Sequence, residues 1–507
     1  MNRNSLTTAV IAGIAGVAGI ANMASAVNLN PDGVGQVLLY PYYTVNGGQQ
    51  TLLSVVNTDT VNGKAVKVRF LEGYNSREVL DFNLFLSPAD VWTAGLFALS
   101  DLQGVTGTGA GIFTNDNSCT APPLTESTAG TFKYVAFKNF AYSGGNADTG
   151  PTTDDRTREG HFEMIEMADI IGNPLLADIT HVNSVPPKCG NAESDFEVVP
   201  NTSTAVPTGG LFGAASVVNV AKGSYYAFNA DALDGFTATT LNFGTQSLSP
   251  SLAQVNDLGA PATVTSLVFN NGALITSPYP QGTQAIDAVS SVFAAANIYN
   301  QYEASSTGSV GTDWVVNFPT KRFYVDGQPG GEGATKATLP PFEHLFGAKD
   351  VGNGAGLSCT VVGISIYDRE ENTTAGPVSG FSPPPPDQPP SSLCHETNVI
   401  TFNGSGTTSV LSSGLTVNIA PLTPNTAGWA NLTLTGNGHD FRLANNGNQF
   451  HGLPITGFEA VKFTNGNVGG VLANYAGVYR HRQSRSCTNA GVGLPTANGS
   501  GNTPPCS

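Results

Sequence analysis

Alternating apolar and polar positions dominate the first part of the chain. In residues 64–70, Val66, Val68 and Phe70 fall on one face of an extended segment, and the residues between them fall on the other. Asn-Gly pairs at 46–47 and 62–63 separate this run from its neighbours. A period of two between turn-forming pairs predicts β-strands joined by hairpins. Successive short strands of this kind predict a β-sandwich with an immunoglobulin-like arrangement over residues 27–118.

Strand-like runs continue through residues 119–485, but longer insertions separate them. Because no fixed-period repeat is visible, the pattern predicts one larger β-sandwich domain with long insertions. Within it, apolar residues recur at helical spacing after Thr283, which predicts a helix over residues 283–303. Consecutive prolines predict a polyproline-type surface loop over residues 381–394. The sequence therefore predicts a mainly β protein with one helix and, over residues 486–507, a disulfide-tethered or flexible tail.

The first 26 residues have the pattern of a removable export signal. Arg3 is followed by an apolar run over residues 9–21, and Ala24-Ser25-Ala26 has the small residues of a cleavage site. No apolar run in residues 27–507 is long enough to span a membrane, so we expect no transmembrane segment there. The pattern predicts an exported protein that is extracellular or at the cell surface, with the periplasm as the alternative.

The charge and the cysteine content of the chain indicate which partners it excludes and in which redox compartment it folds. Charged residues make up 11% of the chain, and the formal net charge is −16. A surface of that sign repels the phosphate backbone, so we expect no nucleic-acid partner. Six cysteines in an exported chain predict three disulfides. Many pairings are possible from sequence, and we expect the one between sequence neighbours: Cys119–Cys189, Cys359–Cys394 and Cys487–Cys506.

Motifs for hydrolytic chemistry are missing from the sequence. It contains neither the G-x-S-x-G of a serine nucleophile nor the H-E-x-x-H of a zinc protease. We therefore assign no catalytic residue and no cofactor-binding residue, and calcium is the one ion to consider as a cofactor.

Two kinds of metal site are suggested by residue type. His161 and Glu163 share one face of a strand and supply part of a metal-ligand set, but the second adjacent histidine of such sites is missing, which favours a simple His–Glu contact at the solvent side. Acidic and amide side chains cluster around Asp116 and Asp368, and also at residues 57–59 and 154–155. Their oxygens suit calcium, but Asx-turns use the same residues.

Aromatic and basic residues offer other contacts. Exposed tryptophans would suit stacking on sugars, but Trp92, Trp314 and Trp429 all lie in apolar strand patterns, which favours core packing for each. Residues 480–485 (RHRQSR) form a basic patch in an acidic protein. The patch could contact acidic surface glycans or a neighbouring subunit, or it could pair with the protein's own carboxylates.

Several strings resemble those of a family of uncharacterised exported proteins of Gram-negative bacteria. They are VLLYPYYTV at 37–45, VRFLEG at 68–73, REVLDFN at 77–83, FPTKRFYV at 318–325 and YDREE at 367–371. The resemblance implies a location outside the cytoplasm. It implies no reaction, because the family has no assigned activity.

Two classes of function fit these observations. The first is a non-enzymatic structural or adhesive protein of the cell envelope, whose partners are cell-surface components or further copies of itself. The alternative is a secreted hydrolase or carbohydrate-binding protein that acts on a polymer. A groove lined by acids and an exposed tryptophan would favour the alternative.

Overall fold

A computed structural model describes residues 26–198, 201–255, 263–305, 309–327, 338–347, 357–374, 392–402, 409–419, 426–436, 438–490 and 506. The predicted export signal lies outside these residues, apart from Ala26. Residues 381–391 of the predicted proline-rich loop and residues 491–505 and 507 of the predicted tail lie outside them as well. Within the described ranges, no helix combines the length and the hydropathy that crossing a membrane requires.

The described residues form 33 strands and four α-helices. The strands up to residue 280 are β1 (Ala26–Leu29), β2 (Val37–Thr44), β3 (Gln50–Asn57), β4 (Gly63–Glu72), β5 (Glu78–Leu86), β6 (Val91–Ala98), β7 (Ala110–Phe113), β8 (Cys119–Ala121), β9 (Ser127–Ala129), β10 (Phe132–Ala136), β11 (Glu159–Ile170), β12 (Thr204–Ala205), β13 (Leu211–Asn219), β14 (Ser224–Asn229), β15 (Asp231–Asp234), β16 (Thr263–Asn270) and β17 (Ala273–Pro280). The later strands are β18 (Ala294–Ala295), β19 (Asn297–Glu303), β20 (Val310–Asn317), β21 (Thr360–Val361), β22 (Gly363–Asp368), β23 (Thr373–Thr374), β24 (Ser392–Leu393), β25 (Thr397–Phe402), β26 (Thr416–Ile419), β27 (Ala427–Thr433), β28 (Asn448–His451), β29 (Leu453–Pro454), β30 (Thr456–Val468), β31 (Val471–Arg480), β32 (Arg482–Ser484) and β33 (Ser486–Asn489). The helices are α1 (Leu175–Ile179), α2 (Cys189–Phe196), α3 (Ala285–Val292) and α4 (Arg322–Val325).

Two sheets form a first β-sandwich. One has ten strands in the order β17-β16-β1-β15-β2-β11-β4-β5-β8, with β12 paired to β11, and the other has seven in the order β14-β13-β3-β6-β7-β10-β9. Tyr40 of the larger sheet stacks on Phe162 at a centroid distance of 4.1 Å, and its hydroxyl donates to the carbonyl of Ser54 in the smaller sheet. The apolar face predicted for residues 64–70 lies in the core between the two sheets.

The boundary suggested after residue 118 does not separate two sheets. β11 lies between β2 and β4 and pairs with both, and it is buried along its whole length. β13 likewise pairs with β3 in the smaller sheet. The first sandwich therefore needs strands from well beyond residue 118, because its central positions are filled by later parts of the chain.

Two five-stranded sheets form a second β-sandwich. Their orders are β23-β22-β27-β19-β32 and β26-β25-β20-β30-β31. Tyr302 of the first stacks on Phe402 of the second at 5.0 Å, with Trp314 beside them in the core. The opposite face of the second sheet packs against the first sandwich, where Asn317 donates to the carbonyl of Pro41. A mainly β fold built from sandwiches is thus confirmed.

The predicted helix over residues 283–303 is correct only in its first half. α3 ends at Val292, and β18 and β19 follow. From 297 to 303 the buried residues are Ile298, Asn300 and Tyr302, which alternate with less buried ones. Residues 297–303 therefore follow the period of two of a strand and not helical spacing, and Tyr299 lies on the outward face of the sheet. Three further short helices, α1, α2 and α4, accompany α3 in the described part of the chain.

All three predicted disulfides are confirmed. Cys119–Cys189 joins β8 to α2, Cys359–Cys394 lies beside the β21–β24 pair, and Cys487–Cys506 ties β33 to the end of the chain. These bridges match an exported protein, since disulfides persist in oxidising compartments.

Candidate functional site

The first predicted metal site is part of a buried ion network. Both His161 and Glu163 are at most 1% exposed, so their strand face is covered instead of facing solvent. Glu163 accepts hydrogen bonds from Arg69 at 2.7 Å and from Arg322 of α4 at 3.0 Å. Arg69 also contacts Glu78 at 2.6 Å. Glu163 is therefore committed to two arginines, which leaves it poorly suited to a cation.

A second buried ion cluster lies around Arg156. Its guanidinium group donates to both carboxylate oxygens of Glu72, at 2.7 and 2.9 Å, and to both of Asp148, at 2.7 Å each. Nearby, Arg77 donates to Asp326 at 2.9 Å. Paired carboxylates of this kind satisfy a buried guanidinium, which is the condition for placing such charges in a core.

Lys321 extends the buried polar region, and no carboxylate among the described residues forms an ion pair with it, although the charge of Glu396 influences its pKa. Its ammonium group donates to the carbonyl oxygens of Ser358 at 2.6 Å and His395 at 3.3 Å. Burial lowers the pKa of Lys321 to about 8 and raises that of Glu396 to about 8. Burial also lowers the pKa of His395 to about 3, so this imidazole is neutral at physiological pH.

The strings VRFLEG, REVLDFN and FPTKRFYV supply most of these buried charges. Arg69 and Glu72 belong to VRFLEG, Arg77 to REVLDFN, and Lys321 and Arg322 to FPTKRFYV. Each contacts a residue far away in sequence, and together they join the first sandwich to the segment around α4. The strings therefore mark structural junctions between distant parts of the chain.

The acidic and amide clusters form local turns. Asp116 accepts from the backbone N–H and hydroxyl of Ser118, and Asp368 accepts from the backbone N–H groups of Glu370 and Asn372. Asp59 does the same for Val61 and Asn62. In the part of the chain that the structure describes, no three His, Cys, Asp or Glu side chains form a group able to hold a metal ion.

The three tryptophans do not share one role. Trp92 and Trp314 are fully buried, as expected, whereas Trp429 is 42% exposed, so the core packing predicted for it is wrong. Trp429 lies on the outward face of β27, where its ring stacks on Tyr367 of β22 at 4.3 Å and an interplanar angle of 11°. Gln301 of β19 occupies the same row across the sheet. The sheet thus presents a supported, partly exposed indole.

A groove of about 430 Å³ runs beside this indole, in the size range of ligand sites. It is lined by Tyr299, Asn300, Gln301, Trp429, Glu459, Tyr479, Arg480 and Arg482. Tyr479 is 58% exposed, and it lies opposite Glu459 in the pairing of β31 with β30. The groove therefore combines aromatic rings with amide, carboxyl and guanidinium groups, and its walls come from both sheets of the second sandwich.

A partly buried imidazole, that of His481, contacts Asn300 of the groove lining. His481 contacts the Asn300 side chain at 2.5 Å through Nδ1 and the Val315 carbonyl at 2.8 Å through Nε2. Burial lowers the pKa of His481 to about 4, so the ring is neutral. The pKa of Glu459 is raised to about 7, mainly by burial; a hydrogen bond from Asn300 opposes this shift, and the charge of Glu303 adds to it.

Two other surfaces were candidates for the site. A cleft of about 360 Å³ is lined by Arg156 and Glu159, but the protein itself occupies their polar groups. Glu159 accepts from Tyr42, Asn46, Ser413 and the backbone of Gly414. These contacts tie residues 413–414 to the first sandwich, so this cleft offers a ligand little free hydrogen-bonding capacity.

The second is the outer face of the seven-stranded sheet. A shallow depression of about 520 Å³ lies there. Large apolar side chains project beside it, with exposed fractions of 45% for Leu52, 47% for Val91, 42% for Phe212 and 59% for Tyr225. The outward positions of β3, β6 and β13 carry no charged residue. This flat apolar face suits a protein surface better than a small polar ligand.

Comparison with protein-family models, with curated proteins and with solved structures found no match in any of the three.

Proposed function

We propose that this is an exported, adhesive glycan-binding protein of the cell envelope, and that the groove beside Trp429 is its binding site. The observation that carries the proposal is the partly exposed indole of Trp429, supported by Tyr367 and bordered by polar side chains. A sugar ring has an apolar C–H face that packs on an aromatic ring and hydroxyl groups that need hydrogen-bond partners. Gln301 and Arg482 supply such partners at the walls.

The location outside the cytoplasm is supported by the three disulfides and by the export pattern of the first 26 residues. The finer placement at the cell surface follows from the proposed activity, since envelope and extracellular polymers are the glycans an exported protein meets.

A glycan array followed by calorimetry tests the proposal. We expect the purified protein to bind at least one class of oligosaccharide, and Trp429→Ala to weaken that binding at least about tenfold, as loss of an aromatic anchor does. Phe140→Ala is the matched control, because Phe140 is 72% exposed and lies outside the groove. Equal binding by Trp429→Ala and the unmodified protein would remove the groove from the proposal.

A second candidate function is glycan hydrolysis in the same groove. Its motivation is Glu459, whose pKa of about 7 keeps a protonated fraction available at neutral pH. In such a reaction Glu459 gives its proton to the leaving glycosidic oxygen, and water activated by Glu303 adds to the anomeric carbon. Glu459→Gln would then abolish cleavage while leaving binding intact, and Glu126→Gln is the control. Absence of cleavage of every bound glycan would eliminate this candidate.

A further inference from the structure

Basic residues at the end of β31 and in β32 line the groove and give it a local charge opposite to that of the protein. The chain has a net charge of −16, yet Arg480 and Arg482 both line the groove. Arg482 is exposed and pairs in strand register with Tyr299, one of the aromatic residues of the groove. A cationic wall beside an aromatic platform is an unusual feature for a protein of this overall charge.

These arginines differ in how their charges are balanced. Arg480 contacts Asp231 at 2.7 Å, although its side chain stays 72% exposed. Among the described residues, no acidic side chain forms an ion pair with Arg482. Arg485 donates only weakly to the carbonyl oxygens of Phe269 and Val292, at 3.4 Å each. Burial lowers the pKa of Arg485, and the nearby charge of Arg480 lowers it further.

The carboxyl groups of the groove do not cancel this positive charge. Glu459 is 5% exposed, and its pKa of about 7 leaves it only partly ionised at neutral pH. Glu303, at the end of β19, is the other acidic neighbour. An anionic group on a ligand would supply the counter-charge that Arg482 lacks, and the planar guanidinium group matches a carboxylate geometrically.

We infer that the groove selects acidic glycans, with the sugar ring on Trp429 and its carboxylate on Arg482. This inference rests on the proposed glycan binding and adds the substrate class. Uronic-acid polymers are the class that fits. A sulfated glycan offers the same negative charge with a different geometry, so the test includes both.

The test compares matched polymers with the full-length exported protein by calorimetry at low and high salt. The probes are polygalacturonate, its fully methyl-esterified and therefore neutral form, dextran sulfate and dextran. We expect polygalacturonate to bind at least about tenfold more tightly than its ester, with the difference shrinking at high salt because screening weakens exposed ion pairs. Dextran sulfate binding more tightly than polygalacturonate would overturn the assignment to a carboxylate.

Variants separate the charge from the groove. Arg482→Gln should reduce the preference for polygalacturonate over its ester to near onefold, whereas Arg482→Lys should keep part of it. Lys133→Gln, in the seven-stranded sheet, makes the same change of net charge and should leave the preference unaltered. Equal binding of the acidic and esterified polymers would refute acid selection but leave glycan binding standing. Failure of all four polymers, together with a negative glycan array, would refute the proposed function itself.

Discussion

Replacing Glu163 by glutamine removes one charge from the buried network that joins the first sandwich to α4. The carboxylate contacts Arg69 at 2.7 Å and Arg322 at 3.0 Å, and all three side chains are at most 1% exposed. With Glu78, these residues form a set of two positive and two negative charges. Glutamine keeps the shape but removes the negative charge that the two buried guanidinium groups share.

The expected cost follows from that imbalance. Removing one partner of a buried ion pair costs about 3–5 kcal/mol, because the remaining charge stays desolvated. Typical total stabilities are about 5–15 kcal/mol, so the change is a large fraction of the whole. Urea titration with the disulfides intact, followed by far-UV circular dichroism, measures the free energy of unfolding.

Two comparisons make the result interpretable. Glu126→Gln breaks a surface ion pair between Glu126, which is 53% exposed, and Lys138, which is 40% exposed. This change should lower the free energy of unfolding by less than about 1 kcal/mol. The double variant Glu163→Gln with Arg322→Met restores charge balance and should recover part of the loss, which a double-mutant cycle records as coupling. A loss below about 1 kcal/mol for Glu163→Gln, equal to that of the surface control, would refute the idea that this network holds the fold together.

Three further predictions concern stability and association. Burial raises the pKa of Asp313 to about 6 and that of Glu396 to about 8. Folding therefore favours the protonated form of both groups. Their contribution to the free energy of unfolding is lost as pH rises from about 4 to about 8. Asp313→Asn should flatten the fall measured by urea titrations at pH 5 and pH 8, and an unchanged slope would contradict the assignment. Removing the Cys119–Cys189 bridge, which closes a separation of 70 residues, should lower the free energy of unfolding by about 4 kcal/mol. A loss no larger than that of a surface serine substitution would argue against it. Strand spacing and length give the apolar outer face of the seven-stranded sheet an area of roughly 500 Å² per copy, which is at the low end for a specific interface. We therefore expect weak dimers whose population in sedimentation rises with concentration and which Phe212→Asp abolishes. A strictly monomeric protein at high concentration would rule them out.

The fold class could be predicted because local patterns carry it. Alternation in residues 64–70 predicts the core face of β4, and the even number of cysteines in an exported chain predicts three disulfides. The pairing between sequence neighbours is correct, although the sequence alone does not select it. The extent of the first sandwich could not be predicted. β11 enters between β2 and β4 from far along the chain, and strand neighbours of that kind leave no local signal.

The candidate site was only partly accessible from sequence. The sequence shows the basic patch at 480–485, but its neighbours in the groove come from β19, β27 and β30, which are far apart in the chain. The helical spacing wrongly predicts a helix through residues 297–303, and the apolar pattern wrongly predicts that Trp429 lies in the core. A period-two analysis of residues 297–303 would have placed Tyr299 and Gln301 on one outward face. The exposure of Trp429 depends on which strand face is covered, which only the tertiary structure decides.

Solvent access to Trp429 during glycan titration tests the central claim most directly. Trp92 and Trp314 are fully buried, so quenching of the intrinsic fluorescence by acrylamide reports mainly on Trp429. We predict that a bound glycan protects the protein from quenching in proportion to occupancy, and that Trp429→Phe loses both the quenchable emission and the protection. Saturating glycan that leaves the quenching of Trp429 unchanged would contradict the assignment of this groove as the binding site.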